Sequence, residues 1–413
     1  MPARRLAARW LMPVEGAPIR DAALLIGPDG RVQAVGSDSQ VPRPSDVMAE
    51  EFGDAVILPG LVNTHTHLEL TGFAGRVRDP EFPVWIRQLR ELKATRTPDE
   101  YVEAARRGLA ACYAAGVTTI ADTGDSGAGL RALAEAGGSG VAYQEVFGPH
   151  PVQAEESLTG LRQKVASLRR WAGDRVHIGV SPHAPYTVSG SLFQAVAAWS
   201  RSEHLPLAVH IAESVAETEL VTQGSGAFAR AWEARGIPLP HSSGVSPVRW
   251  LAVHGVLTER TLCIHAVQVD QADIALLAES GAAVAHCPLS NRAHGHGAAP
   301  LKALLDAGIR VGIGTDSEVS VGPPDLMAEA RAAQRLAGLT AAATIELCTL
   351  GGATALGLAG ETGSLRTGKL GDCAVIRIPE TGKGSTPAEA VLSSSPADVL
   401  LTCLGGKDVY RAL

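Results

Sequence analysis

Apolar runs of strand length alternate with Ala/Leu/Arg/Glu-rich segments of helical period over close to 300 residues of this chain. The runs fall at 117–121, 141–143, 176–180, 207–210, 262–265, 283–286 and 311–314, and helical stretches such as 98–115 and 326–337 lie between them. Strands buried on both faces read as continuous apolar runs, and parallel neighbours need a crossover, usually a helix. The alternation therefore predicts a parallel sheet covered by helices. Counting Ile57-Leu58 as the first strand gives eight, the number that closes an α/β barrel of the (β/α)8, TIM-like kind. A doubly wound open sheet is the competing arrangement, but no GxGxxG follows the first strand.

The two ends have a different texture. Runs 22–26 and 31–36 flank the turn Gly27-Pro28-Asp29-Gly30, a hairpin pattern. Runs 371–378 and 399–403 are also strand-like, the second leading into Gly405-Gly406-Lys407-Asp408. The expected division is a barrel at 58–360 and a small β-sandwich built from both termini, 1–57 and 361–413.

Hydrophobic residues make up 46% of the chain, enough for a sizeable core. With 36 Lys+Arg against 43 Asp+Glu, the formal net charge of -7 offers no basic footprint for nucleic acid or an anionic membrane. The longest stretch free of Asp, Glu, Lys and Arg, 176–200, is broken by Pro182 and Pro185, so no membrane span is expected. Six cysteines are scattered without a CxxC pair, as in a protein with reduced thiols. No apolar stretch of signal-peptide length follows Met1, and a cytoplasmic location is expected.

The histidines and acids at the strand ends carry the chemistry. His65 and His67 follow the first strand, His210 ends the fifth, His265 the sixth, and Asp316 follows the eighth. In a parallel barrel these ends converge on one rim, and residues i and i+2 of a strand point the same way. A HxH pair, a lone histidine or an aspartate after Gly-Thr each has an ordinary structural reading. Their joint occurrence at four strands is hard to reach by accident, and three imidazoles with a carboxylate suit one divalent ion, Zn2+ or Fe2+. Glu213, in His210-Ile211-Ala212-Glu213, lies at the same rim. It suits a proton shuttle beside an ion-activated water; the alternative is a helix cap before Ser214.

Leu58-Pro59-Gly60-Leu61-Val62-Asn63-Thr64-His65-Thr66-His67, Pro182-His183-Ala184-Pro185-Tyr186-Thr187, His286-Cys287-Pro288-Leu289-Ser290-Asn291 and Gly314-Thr315-Asp316 resemble the successive motifs of the amidohydrolase superfamily. The resemblance covers nearly the whole chain. It implies that His65, His67, His210 and Asp316 hold the metal, that Glu213 shuttles protons, and that His265 and Asp316 orient the attacking water. Two-metal members usually carry a carboxylated lysine at strand four. Here that strand reads Val176-His177-Ile178-Gly179-Val180-Ser181, so one metal is expected.

Within the superfamily the chain is similar to adenosine-type deaminases, which act on methylthioadenosine, S-adenosylhomocysteine or the menaquinone precursor 6-aminodeoxyfutalosine. The run His65-Thr66-His67-Leu68-Glu69-Leu70-Thr71 with Phe82-Pro83-Val84-Trp85-Ile86 looks like the opening of the aminodeoxyfutalosine group. Homocysteine-accepting members often carry an arginine after strand three, where this chain reads Tyr143-Gln144-Glu145-Val146. The resemblance implies a nucleoside contact for His183. Phe82 and Trp85 suit an aromatic wall or simply a packed helix face. Arg76, Arg78 or Arg87 suits a distal carboxylate or ordinary surface charge. Glu69 suits ribose hydroxyls or the support of a metal-binding imidazole. His294 and His296 form a second HxH in a glycine-rich loop, suited to substrate contact rather than to another metal. Imidazolonepropionase-like and chlorohydrolase-like chemistry are the enzymatic alternatives. The sequence leaves homo-oligomerisation open.

Overall fold

The computed structural model describes residues 2–240, 244–382 and 384–413. Eight parallel strands follow one another around a barrel in chain order: Leu61–Thr66, Val117–Gly124, Ser139–Val146, Val176–Pro182, Leu207–Ile211, Thr261–His265, Ala283–His286 and Val311–Ile313. The barrel closes between its first and eighth strands. Thr66 bridges Asp316, and the Thr315 and Asp316 N–H groups both donate to the His65 carbonyl at 3.0 Å. Closure thus occurs at the metal-ligand candidates themselves, bringing residues 250 positions apart into register. The (β/α)8 fold is the one the alternation predicts.

The first strand is not where the apolar pattern placed it. Ile57 and Leu58 belong to Ala55–Pro59, which pairs antiparallel with Cys373–Arg377 and parallel with Arg4–Leu11 outside the barrel. The chain crosses into the barrel at Gly60, where a Cβ would sit 2.1 Å from Thr118 Oγ1. Apolar residues continue on both sides of this crossing, so the two strands read as one run.

Both termini build the second sheet, whose strands run in the order Lys407–Arg411, Val399–Leu404, Cys373–Arg377, Ala55–Pro59, Arg4–Leu11, Ile19–Ile26, Val32–Ser37, with Met48–Glu51 also against Arg4–Leu11. The hairpin expected across Gly27–Gly30 is present. Leu6, Leu24, Ile26, Ile57, Val375 and Leu401 form its buried core. All six cysteines are buried and unbridged. Among the described residues no helix is long and apolar enough to cross a membrane.

The backbone of the neighbouring second strand leaves no room at Gly140 on the third. An added Cβ would meet the Ile120 carbonyl oxygen at 1.9 Å, and φ is +143°. Gly140→Ala is therefore expected to destabilise the fold by about 3 kcal/mol, combining overpacking with backbone strain. Thermal or urea unfolding reads this directly, and an unchanged midpoint would contradict the packing described.

Candidate metal centre and active site

The two histidines of Leu61–Thr66 and the turn after it approach Asp316 from across the closure. His65 Nε2 and His67 Nε2 lie 3.4 and 3.5 Å from Asp316 Oδ1. The His210 ring is 4.9 Å from that of His65 and 5.4 Å from that of His67, centroid to centroid. His67 Nδ1 donates to the Thr123 carbonyl at 2.9 Å, and His210 Nδ1 to the His183 carbonyl at 3.2 Å. A carbonyl only accepts, so each Nδ1 carries the proton and each Nε2 keeps a lone pair for a metal. Neither nitrogen of His65 has a hydrogen-bond partner although the ring is buried. Two groups of ligand atoms, His65/His67/Asp316 and His65/His210/His265, each fall within 4.8 Å of one another. An orphaned imidazole among neutral donors and a carboxylate fits a divalent cation.

The electrostatics agree with that fit. Burial, followed by the neighbouring His65, pushes His67 down to about 3. His210 is lowered by burial and then by the surrounding imidazoles. Burial opposes ionisation of Asp316, but the close approach of the His65 imidazole, followed by His67 and His265, outweighs it and holds the carboxyl well below its usual range. Ser290 donates a hydrogen bond to Asp316 Oδ2, fixing the carboxylate. Backbone strain gathers at the same rim: Ala212, His265, Ala266 and Asp316 have φ of 50, 74, 48 and 54°. Left-handed backbone costs a residue with a Cβ roughly 1–2 kcal/mol, and strained residues of this kind cluster at active sites.

Glu213 follows the fifth strand and is buried beside this cluster. Its Oε1 lies 3.5 Å from His265 Nε2 and 3.4 Å from His296 Nε2, and Tyr186 donates its hydroxyl to Oε2 at 3.1 Å. Burial pushes this carboxyl up, but His265 and then His296 overcome it and hold it at about 2. The helix cap here is Ser214, which accepts from the Glu217 N–H. Glu217 turns back to accept the Ala212 and Glu213 N–H groups, both at 2.9 Å, and so holds the strained turn that aims Glu213. His265 Nδ1 pairs with Asn291 Oδ1 at 2.9 Å, leaving Nε2 facing Glu213.

These groups form the floor of a cavity of about 490 Å³, a size typical of small-molecule sites. Its wall is the helix Phe82–Lys93, whose residues Phe82, Trp85, Ile86, Leu89, Arg90 and Lys93 all border it. Phe82 and Trp85 stack with centroids 6.0 Å apart, and His294 packs against both. His183 borders the cavity too, its Nδ1 2.8 Å from Thr187 Oγ1.

A model of the amidohydrolase family matches residues 56–409. The chain belongs to the amidohydrolase family. A 5-methylthioadenosine/S-adenosylhomocysteine deaminase of Nitratidesulfovibrio vulgaris is 32% identical, over 95% of this chain and 88% of its own. The aminodeoxyfutalosine deaminase of Deinococcus radiodurans is also 32% identical, over 82% of each. A solved adenosine deaminase from Xanthomonas campestris with bound zinc superposes with a TM-score of 0.86 at 24% identity, covering 98% of this chain and 92% of its own.

In this amidohydrolase the structure brings together His65, His67, His210, His265, Asp316, Glu213, His183 and Trp85. Three expected substrate contacts fall elsewhere. Glu69 is buried, but its carboxylate accepts from Lys93 Nζ at 2.9 Å and from Ser126, and Thr123, not Glu69, supports His67. Arg76 borders a separate surface hollow with Arg96 and Arg107. Arg87 is exposed on the side of its helix away from the cavity. Arg90 and Arg235 border the cavity instead, and neither side chain has an ion pair or hydrogen bond among the described residues. Helical phase was the available signal for Arg90, since 82, 85, 86, 89, 90 and 93 share one face. Arg235, and the meeting of Tyr186 with His296 at Glu213, depend on distant segments that local pattern does not connect.

Proposed function

We propose that this amidohydrolase is a hydrolytic deaminase of an adenosine derivative, with 6-aminodeoxyfutalosine as its substrate. The observation that carries the reaction class is Glu213, a buried carboxylate between Tyr186, His265 and His296 at the edge of the His/Asp cluster. A divalent ion held by His65, His67, His210 and Asp316, Zn2+ or Fe2+, would supply Lewis acidity that lowers the pKa of a water toward ~7. The chain's own groups then handle the protons. Glu213, ionised at rest, takes a proton from the attacking water and delivers it to N1 of the purine as the C–O bond forms at C6. The second proton of that water goes to the amino group, the C6–N bond breaks, and ammonia leaves with the purine as its 6-oxo form. His265, held by Asn291, and Asp316, held by Ser290, orient the water.

The tail preference is read from the cavity mouth. An aromatic wall of Phe82 and Trp85 with the unpaired Arg90 and Arg235 suits an aryl group ending in a carboxylate. The relatives named for methylthioadenosine and S-adenosylhomocysteine supply the second reading, a different 5′ substituent on the same chemistry. Measuring kcat/KM for 6-aminodeoxyfutalosine, S-adenosylhomocysteine, methylthioadenosine and adenosine separates the two. Preference for the first is expected; preference for methylthioadenosine selects the second reading, and turnover of none of the four overturns both.

Replacing Arg90 and Arg235 together by glutamine should raise KM for the carboxylate-bearing substrate about 10- to 100-fold, the range for a charge-assisted hydrogen bond. The change for uncharged methylthioadenosine should be much smaller. Equal losses on both substrates would show that the arginines act on the fold rather than on the tail.

A further inference from the structure

Val141, Tyr143 and Glu145 form the inward-facing column of the third barrel strand, because alternate residues of a strand share a face. Glu145 tops that column and borders the catalytic cavity. The side chain is only 6% exposed, and Oε1 is buried with no hydrogen-bond partner. Burial pushes the Glu145 carboxyl well above the usual carboxylate range, and a buried carboxyl oxygen without a partner is unfavourable until something arrives to satisfy it. The neighbours do not. Lys93 is bound by Glu69 and Asp125 at 2.9 Å each, and His183 Nδ1 is engaged by Thr187. A Glu145 oxygen nevertheless lies within 4.8 Å of ring nitrogens of both His183 and His210, directly beside the reaction centre.

We infer that Glu145 accepts hydrogen bonds from the sugar hydroxyls of the substrate, an inference that rests on the nucleoside-deaminase reading above. A purine with C6 beside Glu213 extends through N9 to its ribose, whose vicinal hydroxyls are paired donors spaced for the two oxygens of one carboxylate. Glu69, for which the sequence allowed either this task or the support of a metal-binding imidazole, is consumed by Lys93 and Ser126. The same three residues, Glu145, His183 and His210, are also spaced to hold a second cation, and the test includes that outcome.

The test uses metal-loaded wild type, Glu145→Gln and Glu145→Ala, with adenosine and 2′,3′-dideoxyadenosine as substrates. Calorimetric binding of the products inosine and 2′,3′-dideoxyinosine reports independently of turnover. Wild type should favour the hydroxylated member of each pair by about 10- to 100-fold, and both variants should erase that preference by losing affinity for the hydroxylated member. Metal content should stay at one ion per chain throughout. An equal loss on both members, or no loss, overturns the inference while leaving the deaminase reading intact. A second ion in wild type that disappears in Glu145→Gln also overturns it, in favour of a cation site. Wild type that deaminates no adenosine derivative overturns the deaminase reading, and the inference with it.

Discussion

Glu213→Gln is expected to lower kcat by about 10³-fold, the contribution of a well-placed general acid–base group, while metal content stays at the wild-type level. Glutamine keeps the shape and can still accept from Tyr186, but it cannot take a proton from water or return one to a ring nitrogen. Glu213 is not a metal-ligand candidate, and its backbone is held independently by Glu217, so the variant should fold and load normally. Tyr186→Phe removes one hydrogen bond from the same carboxylate and should cost less, about 10-fold. Near-normal turnover by Glu213→Gln, with metal analysis confirming a loaded site, would remove Glu213 from the mechanism.

Removing the metal should be as severe. Dialysis against a chelator is expected to reduce deamination by at least about 10³-fold and to lower the thermal midpoint, because an ion that binds only the folded state stabilises it by mass action. The cluster explains the second effect. His65 has two buried nitrogens without partners, and Asp316 collects the Nε2 atoms of two histidines at 3.4 and 3.5 Å. Without an ion these groups are desolvated and poorly compensated. Restoration by Zn2+ or Fe2+, with both activity and midpoint recovering at one equivalent per chain, is the expected outcome and identifies the working metal. Full activity in protein shown to be metal-free would overturn the centre.

Much of this molecule follows from local pattern. Apolar periodicity alone predicts eight strands with helices between them, and barrel geometry then sends every strand's C-terminal end to one rim. His65, His67, His210, His265, Asp316 and Glu213 sit at those ends, so their convergence required no knowledge of side-chain packing. Local pattern failed where the outcome depended on segments far apart in the chain. The strand at Ile57-Leu58 joined the other sheet because Cys373–Arg377, far downstream in the chain, pairs with it. Glu69 is taken up because the helix Phe82–Lys93 delivers Lys93 to its carboxylate. Arg87 and Arg90 are both exposed, and only Arg90 lies on the edge of the helix face that borders the cavity. Arg235, Tyr186, Asn291 and Glu145 reach the site from four further segments. Periodicity is a property of neighbours in sequence and fixes which way a side chain faces. The partner a buried charge finds is a property of the packed molecule, because desolvation is relieved only by whatever the fold brings within a few ångströms.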